Sequence, residues 1–259
     1  MPVPDETRTA GQSPATSGAA TTDQSIPMRI IVTENGPYQV EGSIPLMQQI
    51  IETDEEGASW EWREGTVFRS RRRYRLCRCG QSQNKPFCDG SHETNGFIGT
   101  ETASRAPYLQ QAKAYQGPEL TLTDAEPLCA SARFCDACGS IWNLVEEAGA
   151  EARALTIREA AHCPSGRLVV WKRAADGKME LAGEPEFEPS IGVVEDPPAG
   201  VSGPLWVRGG IEIVSADGTP YEIRNRVTLC RCGQSRNKPF CDGSHRVVDF
   251  QDELPLGPE

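Results

Sequence analysis

Apolar and polar positions along this chain change over in short blocks, the signature of short strands and turns more than of long helices. Met28-Arg29-Ile30-Ile31-Val32-Thr33 has a strand pattern, and Leu168-Val169-Val170-Trp171 is a brief continuous apolar run that predicts a buried strand. Ile141 to Glu147 and Glu151 to Ala161 are rich in helix formers, with Gly149 as the stop between them. Residues 1–27 are dominated by Pro, Thr, Ser, Ala and Gly, cannot bury enough apolar area to offset ordering, and predict a disordered tail. Ala174 to Gly200 carries four prolines and seven acids against one lysine, which predicts an acidic, extended linker.

The chain repeats itself. Leu76-Cys77-Arg78-Cys79-Gly80-Gln81-Ser82-Gln83-Asn84-Lys85-Pro86-Phe87-Cys88-Asp89-Gly90-Ser91-His92 recurs as Leu229 to His245 with one change, Gln83 to Arg236. Upstream, Gly36-Pro37-Tyr38-Gln39-Val40 resembles Gly203-Pro204-Leu205-Trp206-Val207. Gly36 precedes Cys77 by 41 residues and Gly203 precedes Cys230 by 27, so the first copy has about 14 extra residues, read as a loop or hairpin within Ile51 to Gly65.

Each copy offers Cys-x-Cys, then a third cysteine, then Asp-Gly-Ser-His. The four-residue step from Cys88 to His92, and from Cys241 to His245, puts both side chains on one face of a helical turn. Cys77 and Cys79 flank Arg78 in an extended segment, so their thiolates face the same way. Two pairs of donors fit a cluster of two irons and two sulfides. Asp89, Ser91, Asp242 and Ser244 read as turn caps and Phe87 and Phe240 as packing residues. Structural zinc satisfies the same donor types, although zinc motifs open with cysteines two to four apart. Disulfides compete as well, but ten cysteines in 259 residues is well below a disulfide scaffold.

Both motifs resemble the CDGSH iron-sulfur domain family, of mitoNEET-like type, over about seventeen contiguous residues each. The resemblance implies one 2Fe-2S cluster on Cys77, Cys79, Cys88 and His92, another on Cys230, Cys232, Cys241 and His245, and a small β-rich cap beside each. Family members with one motif pair as dimers, so two motifs in one chain imply an intramolecular pseudo-dimer in a monomer. The family's membrane anchor has no counterpart here, which implies a soluble, bacterial type of relative. One imidazole among three thiolates leaves a cluster less negative than four thiolates, so a raised reduction potential is expected, with His92 and His245 as a redox and pH gate.

Cys129, Cys135 and the distant Cys163-Pro164 resemble a divergent mono-cluster ferredoxin domain over roughly Leu120 to Trp171, with Ala132 where a ligand is usual. That resemblance implies a 3Fe-4S or a 4Fe-4S cluster, with Cys138 as the candidate fourth ligand; buried structural cysteines are the alternative. His162 reads as a packing or surface residue, and Trp60, Trp62, Trp142, Trp171 and Trp206 as core or cap.

The expected fold class is α+β: a first cluster-binding module over residues 28–116, a ferredoxin-like module over 117–173, the linker over 174–200 and a second cluster-binding module over 201–259. Acids exceed bases by 11, which argues against nucleic acid or an anionic membrane as partner, and no apolar run spans a bilayer. No secretory or transit signal is visible, so a cytoplasmic location is expected. Arg71, Arg72, Arg73, Arg75 and Arg78 form a basic run, read as a solvated face or as a dock for an acidic redox partner. One-electron transfer is the leading expectation, cluster storage or transfer to apo-proteins and redox or pH sensing the alternatives, and a zinc-stabilised interaction module the outsider; no enzymatic site is expected.

Overall fold

The computed structural model describes residues 26–257, so the tail expected over 1–27 falls, but for Ile26 and Pro27, outside the described residues. In chain order the first copy supplies β1 (Arg29–Val32), β2 (Tyr38–Glu41), β3 (Leu46–Thr53), β4 (Ser59–Phe68) and β5 (Arg73–Leu76). After α1 (Tyr108–Gln111), the middle region supplies β6 (Lys113–Gln116), β7 (Leu120–Asp124), α2 (Ile141–Leu144), α3 (Ala150–His162), β8 (Leu168–Arg173) and β9 (Met179–Leu181). The second copy brings β10 (Ser190–Asp196), β11 (Val201–Arg208), β12 (Glu212–Val214), β13 (Arg226–Leu229) and the short α4 (Ser244–Val247). The mixture is α+β, mostly strand.

The two copies exchange strands. One sheet has the order β12-β1-β2-β5 and the other β13-β11-β10-β3-β4, so each contains strands from both copies. β12 runs parallel to β1, with Ile30 opposite Ile213, and β3 runs parallel to β10, with Ile191 opposite Leu46. The two joints are related by the repeat: each copy keeps its own antiparallel strands and lends one to the other. The extra residues of the first copy form the β3–β4 hairpin, which widens the second sheet by one strand.

Alternation explains the sandwich. Ile30 and Val32 of β1, Tyr38 and Val40 of β2, Ile191 and Val193 of β10, and Leu205 and Val207 of β11 all face one shared core with Leu76 and Leu229. A separate core holds the middle module, where Leu120, Leu122, Leu168 and Val170 of its β6-β7-β8-β9 sheet meet Ile141 and Val145. A third cluster ties the two together: Phe134 and Ala132 of the middle module pack on Trp206, Val194 and Ile51.

The stretch over 174–200 is extended but is no free linker. β9 closes the middle sheet, and every residue of β10 is buried between β3 and β11. Its acids are neutralised inside: Glu195 and Asp196 pair with Arg231 and Arg133. The expected module boundaries at 116 and 201 are therefore crossed by strand pairing, since β3 and β4 complete the sheet of β10, β11 and β13.

Candidate metal centres

In each copy the ligand loop is clamped to the last strand. Cys77 N–H donates to Pro86 O at 2.9 Å and Cys88 N–H to Arg75 O at 3.0 Å; Cys230 to Pro239 and Cys241 to Thr228 repeat this at 2.8 and 2.9 Å. The clamp brings the donors together as two pairs. Cys77 and Cys79 Sγ lie 3.8 Å apart, and Cys88 Sγ lies 3.4 Å from His92 Nδ1; in the second copy the same distances are 3.8 and 3.4 Å. The hydrogen bond between the thiols lets one of each pair ionise below the usual thiol range while its partner is held above it. Asp89 and Asp242 hold the loops, each accepting from the N–H of the serine two residues on (Ser91, Ser244) and from Gln83 or Arg236 N–H across the loop.

The loops meet back to back. Gly80 and Gly233 have φ of +77° and +79°, and a Cβ on either would lie 2.6 Å from the carbonyl oxygen of Cys232 or Cys79 respectively. Only glycine permits that backbone and that approach.

Identical motifs end in unequal surroundings. His245 and Cys241 are 3% exposed, whereas His92 and Cys88 are only partly buried. Burial, with Arg231 beside it, pushes the His245 imidazole down to about 4, so its ring is neutral at ordinary pH. Arg231 donates to Glu195, Val194 O and Gly203 O and pairs with Asp252. Its counterpart Arg78, expected on a solvated face, is instead buried: its hydrogen bonds go to Thr33 O and Gly99 O, and it lies over the rings of Tyr38 and Phe97. The pleat that points Cys77 and Cys79 one way points Arg78 into the core. Arg71, Arg72, Arg73 and Arg75 are exposed as expected.

In the middle module burial raises the Cys135 thiol, and the nearby Cys163 and Cys129 raise it further. Cys129 also lies beside Arg167, which pairs with Asp124. Cys129 and Cys163 thus both lie near enough to Cys135 to act on its thiol. Cys138 has different neighbours: its N–H donates to Glu159 Oε1 at 2.7 Å, and the charged groups that act on its thiol are Glu159, Arg158 and Asp54. His162 packs as expected, stacked on Phe134 at 5.3 Å.

The middle module sits on the second copy. A Cβ on Gly243 would lie 2.3 Å from Ser131 Oγ, and Cys129 is close enough to raise the Cys241 thiol. Arg226 Nη1 donates to the carbonyls of Ala160, Ala161 and Cys163 at 2.7, 3.0 and 2.7 Å, and Arg224 to Ser165 O at 3.3 Å. Glu159, Arg224 and Arg226 were not singled out in the sequence; aligning Arg226 with Arg73 across the repeat was the available signal.

A family model described as iron-binding zinc finger, CDGSH type, matches residues 35–93 and 202–246. One described as divergent 4Fe-4S mono-cluster matches residues 115–173. The chain carries two CDGSH domains around a divergent 4Fe-4S domain. No curated protein and no solved structure matches it.

This tandem CDGSH chain is an iron-sulfur protein, and its donors fit the groups its domains imply. All ten cysteines are free thiols. Among the described residues no three His, Cys, Asp or Glu side chains close around one ion position; the CDGSH donors stand as two pairs, an arrangement suited to two metals. Cys77, Cys79, Cys88 and His92 could hold one such group, Cys230, Cys232, Cys241 and His245 another, and Cys129, Cys135 and Cys163 a third.

Proposed function

We propose that the protein is a one-electron carrier with a 2Fe-2S cluster on Cys77, Cys79, Cys88 and His92, a second on Cys230, Cys232, Cys241 and His245, and one cubane cluster on Cys129, Cys135 and Cys163. The observation that carries this reading is contact between the three ligand loops: Gly80 against Cys232, Gly233 against Cys79, and Gly243 against Ser131. Storage needs no such adjacency, whereas conduction does. When bound, such clusters supply one-electron redox chemistry, with histidine raising the potential. The match to a 4Fe-4S domain favours four irons in the middle, with three thiols from the chain and Cys138 outside the set.

Cluster transfer to apo-proteins is the second reading, favoured by the half-open first site, where His92 and Cys88 are within reach of solvent. The protein acts as a monomer in the cytoplasm, without a catalytic site of its own; no helix among the described residues is long and apolar enough to cross a membrane.

Iron, acid-labile sulfide and zinc per chain, measured after anaerobic purification, test the assignment. About eight irons with matching sulfide support it, about seven point to a three-iron centre, and zinc without sulfide overturns it. Mixing the holo-protein with an apo-ferredoxin separates the two readings, because a carrier keeps its iron while a donor loses it.

A further inference from the structure

The repeat makes one half of the molecule a template for the other. Arg71, Arg73, Asn84, Cys88 and Gly90 of the first copy occupy the motif positions of Arg224, Arg226, Asn237, Cys241 and Gly243 in the second. In the second copy these positions receive the middle module. Arg224 and Arg226 hold the carbonyls at the end of α3 and through Cys163 and Ser165, Asn237 donates to Pro127 O at 2.8 Å, and Gly243 lies against Ser131. A helix C-terminus carries partial negative charge, so two guanidinium groups suit it.

In the first copy the same positions wall an open cleft of about 1090 Å³, to which Arg69 and Arg75 add positive charge, partly offset by Glu41, Asp89 and Glu93 on its wall. Nothing lies within 4 Å of where a Cβ on Gly90 would stand, and Arg73, paired with Glu41 at 2.9 Å, is 66% exposed while its counterpart Arg226 is 1% exposed. The cleft reaches Cys88 itself. The chain's own middle module cannot fill it, because that module is already seated on the second copy.

We infer that this cleft is a docking site for a separate, small acidic ferredoxin-type protein, which the first copy receives as the second receives the middle module. The partner presents helix C-terminal carbonyls and surface carboxylates to Arg71 and Arg73. Only non-covalent contacts form in docking. The inference rests on the carrier reading for its purpose, but the site is defined by geometry alone.

Calorimetric titration of the holo-protein with a small acidic 4Fe-4S ferredoxin tests it. Wild type should bind, with affinity falling as salt rises from about 50 to 300 mM. R71E/R73E should raise Kd at least about tenfold, R71Q/R73Q should raise it less, and K178E, on the distant β8–β9 turn, should leave it unchanged. Equal unfolding midpoints for R71Q/R73Q and wild type exclude a folding defect. Absence of binding by wild type, or binding indifferent to both double variants, overturns the inference, as does a chain whose cleft is filled by a second copy in sedimentation. If the double variants weaken binding but iron moves to the apo-form of that ferredoxin, the dock stands and the carrier reading falls.

Discussion

The Cα of Gly80 stands so close to Cys232 that a methyl group there would lie 2.6 Å from the Cys232 carbonyl oxygen, while a methyl on Gly90, ten residues away in the same motif, would meet nothing within 4 Å. Both glycines have positive φ, +77° and +94°, so both substitutions carry the backbone cost of about 1 kcal/mol. Gly80→Ala should cost about 1–3 kcal/mol more than Gly90→Ala, because backbone must shift to relieve it. Denaturant midpoints of the two variants give the comparison, and equal losses would contradict the back-to-back packing of the loops.

Arg78 sits between two thiol ligands with carbonyls and aromatic faces for partners, whereas Arg231 is matched by Glu195 and Asp252. A buried cation less compensated by carboxylates favours the extra electron, and the deeper burial of the second site disfavours it. The first site should therefore have the more positive potential. Arg78→Met should lower it by roughly 90 mV, the effect of one charge at about 8 Å with an effective dielectric near 20, and Arg78→Lys by less. Redox titration followed by electron paramagnetic resonance reads both values.

The Cys138 N–H donates to Glu159, and the charged groups that act on its thiol are Glu159, Arg158 and Asp54 and not the other middle cysteines. Cys138→Ser should leave iron and sulfide per chain unchanged. Cys163→Ser should lose the middle iron and retain about four, held by the CDGSH ligands. Metal analysis of both variants decides whether Cys138 is outside the ligand set.

Glu159 is buried on α3 and its carboxyl is pushed up to about 7 by desolvation. The folded chain keeps this proton between pH 4.5 and 7 where the unfolded chain has lost it, so this group's contribution to stability falls as pH rises through that window and is level above it. Glu159→Gln removes the dependence and keeps an oxygen for Cys138 N–H. Wild-type stability relative to the variant should drop by about 1–3 kcal/mol from pH 5 to pH 8, measured by urea unfolding.

The parts legible in the sequence are those that local chemistry fixes. Seventeen contiguous residues contain both donor pairs of a CDGSH site, and the pleat at Cys77-Arg78-Cys79 and the turn from Cys88 to His92 bring them together without outside help. The hairpin over Ile51 to Gly65 and the helices either side of Gly149 were legible for the same reason. Strand exchange was not, because β3 and β12 stand at equivalent places in the repeat and local pattern cannot say which copy each will join. Nor was β10: Glu195 and Asp196 look like linker residues until Arg231 and Arg133, far along the chain, are seen to neutralise them.

The shared sheets also dictate an order of events at the ribosome. The first ligand loop emerges early, but the sheet that carries it is closed by β12, and β3 waits for β10 as its neighbour. A nascent chain halted before residue 190 would hold the first set of thiols on an incomplete scaffold, with the edges of β1 and β3 bare. Maturation of either site is then a late, whole-molecule event, and separate expression of the two halves should yield fragments that become soluble only when made together.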